Sequence, residues 1–155
     1  LLSQRLAVLD AIATAVVNLT EPEGILAATM RLTAEYLKVT HCAYADMEPD
    51  EDAFFIRDNW TVPGTASIVG AYRLSDFGEM AVSRLRAGQP LVINDRAKDL
   101  LPQAAATFAG MGIAATICLP LIKGGRLTAL MAVHDQTPRL WTPFELGLLS
   151  EVTEL

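Results

Sequence analysis

Apolar positions change their period as this chain runs. Leu6, Leu9, Ile12, Val16 and Leu19 recur every three or four residues, with Arg5 and Asp10 off that face, and predict a helix over residues 3–19. Thr20-Glu21-Pro22-Glu23 reads as a capping sequence, and a second helix follows to about Lys38. Beyond it the pattern shortens. Residues 40–48 and 53–60 read as strands around an acidic turn, Pro49-Asp50-Glu51-Asp52, and 68–74 as a third strand after a loop holding Pro63, Gly64 and Thr65. Ser75-Asp76 is placed to cap a helix over 77–87, which Gly88 ends. Residues 91–94 read as a short strand and 102–110 as a short helix. Residues 113–122 and 127–135 are apolar at nearly every position and flank Lys123-Gly124-Gly125-Arg126, a hairpin turn because glycine takes positive φ without steric cost. Strands this apolar are expected to be covered on both faces. A last helix starts at Thr142 as N-cap, with Pro143 first and Glu145 third. Six strands, largely hairpin-joined and interrupted by helices, make an α+β domain with an antiparallel sheet.

Length and composition narrow the picture. The chain has 155 residues, which suits one domain over 1–155 rather than two. Hydrophobic residues make up 52% and mean hydropathy is +0.32, yet no apolar run reaches the roughly 20 residues that cross a bilayer. No membrane contact is expected. A formal charge of −6 argues against a nucleic-acid partner, which needs a basic face. Cys42 and Cys118 stand singly in apolar contexts without C-x-x-C spacing, so buried thiols in a reducing cytoplasm are expected. The chain opens on Leu1-Leu2-Ser3 and stops inside an amphipathic helix, which suggests a domain excised from a longer polypeptide.

Strand, Gly-Gly turn, strand, Asp135-Gln136-Thr137-Pro138-Arg139-Leu140-Trp141-Thr142 and helix resemble the end of a GAF-type sensory domain. The element order is similar to GAF domains over essentially the whole chain, and nearest to the chromophore-binding GAF domains of phytochromes. From Gly112 to Arg139 the chain lies on the phytochrome pattern without a gap, through Thr116, Cys118, Gly124-Gly125 and Ala132-Val133-His134. Ser75-Asp76-Phe77-Gly78 stands where phytochromes carry S-D-I-P, whose Asp faces the bilin. The resemblance implies a six-stranded antiparallel sheet with helices on both faces.

The departures bear on the ligand. Phe77 and Gly78 replace Ile and Pro of that motif, Ala104 stands where a chromophore-stacking His is expected, and Leu91 where an Arg clamps a propionate. No cysteine lies where GAF domains attach bilin. With most of that grip missing, the sequence leaves the ligand unnamed and disfavours bilin. Cyclic-nucleotide GAF domains carry N-K-x-x-F-x-x-x-D-E, from which Asn94-Asp95-Arg96-Ala97-Lys98 departs at once. Haem needs an axial ligand, for which only His41 and His134 offer imidazole, and nothing else points to it.

Among single residues His134 is the most attractive, as a pH-tuned hydrogen-bond donor to a ligand carbonyl or else a core histidine satisfied by backbone. A strict two-residue turn would pair Cys118 with Met131 and put His134 on the opposite face; a bulge would bring both to one pocket. Asp76 is a pocket carboxylate or a helix cap. Cys118 and Cys42 are buried thiols or, in the enzyme alternative, the reactive pair of a free methionine-sulfoxide reductase. Trp60, Tyr72, Phe77 and Phe108 form a ligand box or a plug filling it. Arg139 is expected to salt-bridge locally or stack on Trp141, and Asp50-Glu51-Asp52 to be a solvated turn. No nucleophile–base pair, metal-ligand spacing or phosphate-cradling loop is present, so isolated catalysis is not expected.

The resemblance implies a GAF sensor domain of a bacterial signal-transduction protein, with a histidine kinase output in a two-component system. A small-molecule event would pass through the sheet to terminal helices that pair in a homodimer through the Leu6/Leu9/Ile12/Val16 and Leu146/Leu149/Val152 stripes. A GAF domain that binds nothing and spaces a dimer is the rival.

Overall fold

The computed structural model describes residues 2–154. Six strands, β1 (His41–Met47), β2 (Ala53–Thr61), β3 (Gly70–Arg73), β4 (Leu91–Ile93), β5 (Ala115–Lys123) and β6 (Arg126–Asp135), form one sheet in the order β3-β2-β1-β6-β5-β4. Every neighbouring pair is antiparallel. The helices α1 (Leu2–Val16), α2 (Pro22–Leu37) and α6 (Pro143–Thr153) cover one face; α3 (Glu79–Arg86) and α5 (Pro102–Gly110) lie over the other, with α4 (Arg96–Asp99) beside them. The α+β sheet with helices on both faces is as the sequence predicts.

Local chemistry explains most boundaries. At α6 the Thr142 hydroxyl accepts the Glu145 N–H at 3.2 Å and the Glu145 carboxylate accepts the Thr142 N–H at 2.9 Å, a full capping box behind Pro143. Asp95 caps the unforeseen α4 by accepting the Ala97 N–H at 3.0 Å. The single helix expected over 77–87 is corrected. Leu74–Phe77 is a 3-10 turn, Gly78 breaks it at φ +99°, and α3 starts only at Glu79. A Cβ at Gly78 would come within 3.0 Å of the Ala104 Cβ, so glycine is what lets this turn close on α5.

Two bulges set which residues share a face. In the β5–β6 hairpin Lys123 pairs with Arg126 and Ile122 with Leu127, but Leu121 then pairs with Ala129, leaving Thr128 unpaired. The shift moves Cys118 opposite Ala132 and Thr116 opposite His134, so Thr116, Cys118 and His134 point the same way. Between β1 and β2, Tyr44 pairs with Asp58 and Ala45 with Ile56, leaving Arg57 as the extra residue.

The acidic turn is more than solvated surface. The Asp52 carboxylate accepts the Ser75 N–H at 2.8 Å and pairs with Arg73, and the Glu51 carboxylate accepts the Leu127 N–H at 2.8 Å. The turn therefore fastens the β1–β2 corner to the 3-10 turn and to β6. No helix among the described residues is long and apolar enough to cross a membrane.

Candidate functional site

The middle of the sheet is built from small residues on one face only. Ala43, Ala45 and Ala132 occupy the middle of the sheet beneath α3 and α5, and their short side chains leave a cavity of about 50 Å³. Phe54, Phe77 and Phe108 form its far wall; Thr116, Cys118 and His134 form its polar side. The aromatics touch in series: Phe77 meets Phe108 edge-on at 5.1 Å between centroids, Phe54 lies 5.7 Å from Phe77, and Tyr72 stacks on Phe54 at 5.6 Å.

His134 is buried, and its Nδ1 lies 2.7 Å from the Thr116 hydroxyl. The same hydroxyl lies 3.1 Å from the Val133 carbonyl oxygen and donates to it. Desolvation, with His41 nearby, pushes the His134 pKa down to about 3, so the ring is neutral at physiological pH. His41 pairs across the strand, its ring centroid 6.0 Å from that of His134. Its Nδ1 sits 3.0 Å from the Thr40 hydroxyl, and its buried Nε2 has no hydrogen-bond partner. Burial lowers its pKa, while the nearby Ala66 carbonyl and Asp135 partly offset that.

Not every predicted site residue reaches the cavity. Asp76 is exposed in the 3-10 turn, where only its carbonyl is engaged, accepting the Thr107 hydroxyl at 2.6 Å; it is neither a pocket carboxylate nor a helix cap. Trp60 pairs with Cys42 and packs against the α1/α2/α6 side, because the Arg57 bulge turns it over. Tyr72 stands one ring behind the wall and donates its hydroxyl to the Ile68 carbonyl at 2.7 Å. Phe77, Phe108, Thr116, Cys118 and His134 do converge. Sequence reasoning missed Phe54 and the alanines; the signal available was Ala43, Ala45 and Ala132 in strands otherwise rich in larger residues.

Cys42 and Cys118 lie on opposite faces of the sheet, and burial pushes both thiols up to about 12. Neither offers a thiolate at neutral pH, and the reductase arrangement, two thiols within reach of each other, is absent. Among the described residues no three His, Cys, Asp or Glu groups gather to hold a metal.

The β6 end that carries His134 continues into a clasp. Arg139 pairs with Asp135 at 3.2 Å and with Glu145 of the α6 cap, donates to the Lys38 carbonyl at 3.1 Å and the Leu37 carbonyl at 2.6 Å, and lies 4.6 Å over the Trp141 ring. It both salt-bridges and stacks, joining the C-terminus of α2 to the N-terminus of α6.

The GAF domain family model matches residues 21–155. No curated protein matches the sequence. Among solved structures the chain is similar to a far-red absorbing protein in its dark state with bound biliverdin (TM-score 0.84, 15% identity, 95% of this chain and 93% of that one). It is similar to the chromophore-binding domain of a bacteriophytochrome from R. palustris (TM-score 0.81, 10% identity, 98% and 58%). It is also similar to the phycoerythrobilin-bound GAF domain of a cyanobacterial phytochrome (TM-score 0.80, 17% identity, 97% and 90%). At these identities the likeness is one of fold. It nevertheless corrects the expectation that bilin is disfavoured, because structures sharing this frame carry biliverdin, phycoerythrobilin and phycocyanobilin. The physical reason is that apolar burial is the dominant favourable term in enclosing such a group. Leu91 lines the cavity, so that departure extends the apolar wall, while Ala104 is buried against Gly78.

Proposed function

The chain belongs to the GAF family, and on that premise we propose that it is a sensor domain whose ligand is a bilin held between the sheet and the α3/α5 layer. The observation that carries this reading is the bulged hairpin, which gathers Thr116, Cys118 and His134 on one wall facing three phenylalanines. That lining fits a flat, largely apolar group with a few polar edge atoms. The cavity of about 50 Å³ is smaller than the roughly 300 Å³ at which small-molecule sites begin. Occupancy therefore requires the Phe77–Phe108 contact to open, moving the 3-10 turn and α5 outward. A bound bilin would supply light absorption; Phe77, Phe108 and Leu91 would enclose it and His134 would orient its polar edge. Burial keeps the Cys118 thiol neutral, and the binding expected is non-covalent.

Ligand binding would act as a population shift. Movement at His134 is relayed by Asp135 to Arg139 and from there to α2 and α6. We place the domain in the cytoplasm, in a bacterial sensor histidine kinase of a two-component system, as a homodimer through the terminal helices. Ile12, Leu149 and Val152 of the apolar stripes are spent on the core. Leu6 and Val17 remain exposed at 57% and 71%, and α1 and α2 flank an apolar groove lined by Val16, Ile25 and Leu26; these exposed apolar groups support a partner on this face.

The test is native mass spectrometry of the domain after incubation with excess biliverdin. One bilin per chain, with a new visible band and loss of the added mass on denaturation, is expected. An unchanged mass with biliverdin and with phycocyanobilin overturns it. The small cavity favours a second reading, a dimer spacer that binds nothing, and that result would select it.

A further inference from the structure

The polar side of the cavity holds an imidazole, a hydroxyl and the neutral Cys118 thiol, and for the first two a count of protons fixes the direction of their hydrogen bonds. The Thr116 hydroxyl lies 2.7 Å from His134 Nδ1 and 3.1 Å from the Val133 carbonyl oxygen, but it has a single proton to give. If that proton went to Nδ1, hydroxyl and carbonyl oxygens would meet lone pair to lone pair. The neutral ring would then carry its hydrogen on Nε2, a donor with no acceptor among the described residues. If the proton goes to the Val133 carbonyl, Nδ1–H donates to the hydroxyl and both contacts are hydrogen bonds. Buried donors and acceptors are paired wherever geometry permits, so the second arrangement prevails.

We infer that Thr116 fixes His134 as the Nδ1–H tautomer, so that Nε2 offers the cavity a lone pair and selects a ligand whose polar edge is a hydrogen-bond donor. The chemical class is an N–H of pyrrole or lactam type, or a hydroxyl, on an apolar body. This reverses the donor role expected from the sequence and makes Thr116 a positioning residue acting through His134. The clause about ligand choice rests on the cavity's being the ligand site; the tautomer does not. The neighbouring strand repeats the device. The Thr40 hydroxyl lies 3.1 Å from the His134 carbonyl oxygen and 3.0 Å from His41 Nδ1, so a threonine between a β6 carbonyl and an imidazole holds each ring.

Two measurements on the unliganded protein test it. Long-range 1H–15N correlation spectra of the histidine rings report which nitrogen is protonated. The wild type and Thr116→Ser should show Nδ1–H at His134, and Thr116→Val, which removes the acceptor, should lose that pattern. An Nε2–H signal in the wild type overturns the inference. The second compares pyrrole with furan, near-isosteres that differ in offering an N–H or an oxygen lone pair. Pyrrole should bind about 3- to 10-fold tighter by chemical-shift titration, the worth of one hydrogen bond. The preference should survive Thr116→Ser and vanish in His134→Phe. Equal affinities, or a furan preference, overturn the ligand clause. If biliverdin fails to bind while pyrrole is preferred, the bilin reading falls and the polarity of the site stands.

Discussion

The two faces of the central sheet are built from alternating residues of the same strands, and they are built differently. Towards α1, α2 and α6 the strands present Ile117, Met131 and Val133, buried beneath Ile12, Leu148 and Leu149. Towards α3 and α5 they present Ala43, Ala45 and Ala132, with Thr116, Cys118 and His134. Large side chains interlock on the first face and give rigidity. Small ones on the second leave space at the sheet centre, closed by aromatics that touch ring to ring and could part. Stability lives on one side of the sheet and the candidate sensing site on the other, and Arg139, just beyond β6, ties the strand end beside His134 to α2 and α6 of the packed side.

The largest effect should come from breaking the packed face. Leu149 is fully buried, and Leu149→Ala should cost about 2–5 kcal/mol in urea unfolding through the cavity it leaves. Acid comes next and acts through the open face. The His134 ring titrates near 6.5 unfolded but only at about 3 folded, so the unfolded chain alone takes up the proton between those values. Stability is thus unaffected above pH 6.5 and falls as pH drops below it, by about 1.4 kcal/mol per unit for this group, or about 2 kcal/mol by pH 5. Burial lowers the His41 pKa as well and steepens the slope; His134→Gln should flatten it in unfolding curves taken between pH 4 and 7.

A matched pair sharpens the comparison further. Ala115 on the packed face is fully buried, and Ala115→Val should cost about 1–3 kcal/mol by overpacking. Ala132→Val adds the same two methyl groups facing the cavity and should change stability by less than about 1 kcal/mol. The smallest expected effect is on the thiols. Both lie near 12, so native thiol titration should register neither Cys42 nor Cys118 until the protein unfolds.

What was legible in the sequence was local. The Gly124-Gly125 turn, the Thr142/Glu145 capping box and the 102–110 helix are encoded within a few residues and stand where the pattern puts them. What was not legible depends on bulges and on one glycine. Period-two alternation puts Trp60 on the face of Phe54 and Ile56, and Cys118 opposite Met131; single extra residues at Arg57 and Thr128 reverse both assignments. No residue type at those positions announces a bulge. Gly78 reads as part of a helix until α5 is seen beside it, and Asp76, read as a cap, is left outside by that break. The alternation of small residues in β1 was in plain view, but only the paired strands show that Ala43, Ala45 and Ala132 cluster into one space.

The most direct test of the central claim, that the small-residue face is the ligand site, is a biliverdin titration of the wild type beside Ala132→Val, followed by visible absorbance. A saturable band in the wild type, with affinity reduced at least about tenfold in a variant that melts like the wild type, is the predicted result. Equal binding by both proteins, or no band in either, would contradict it.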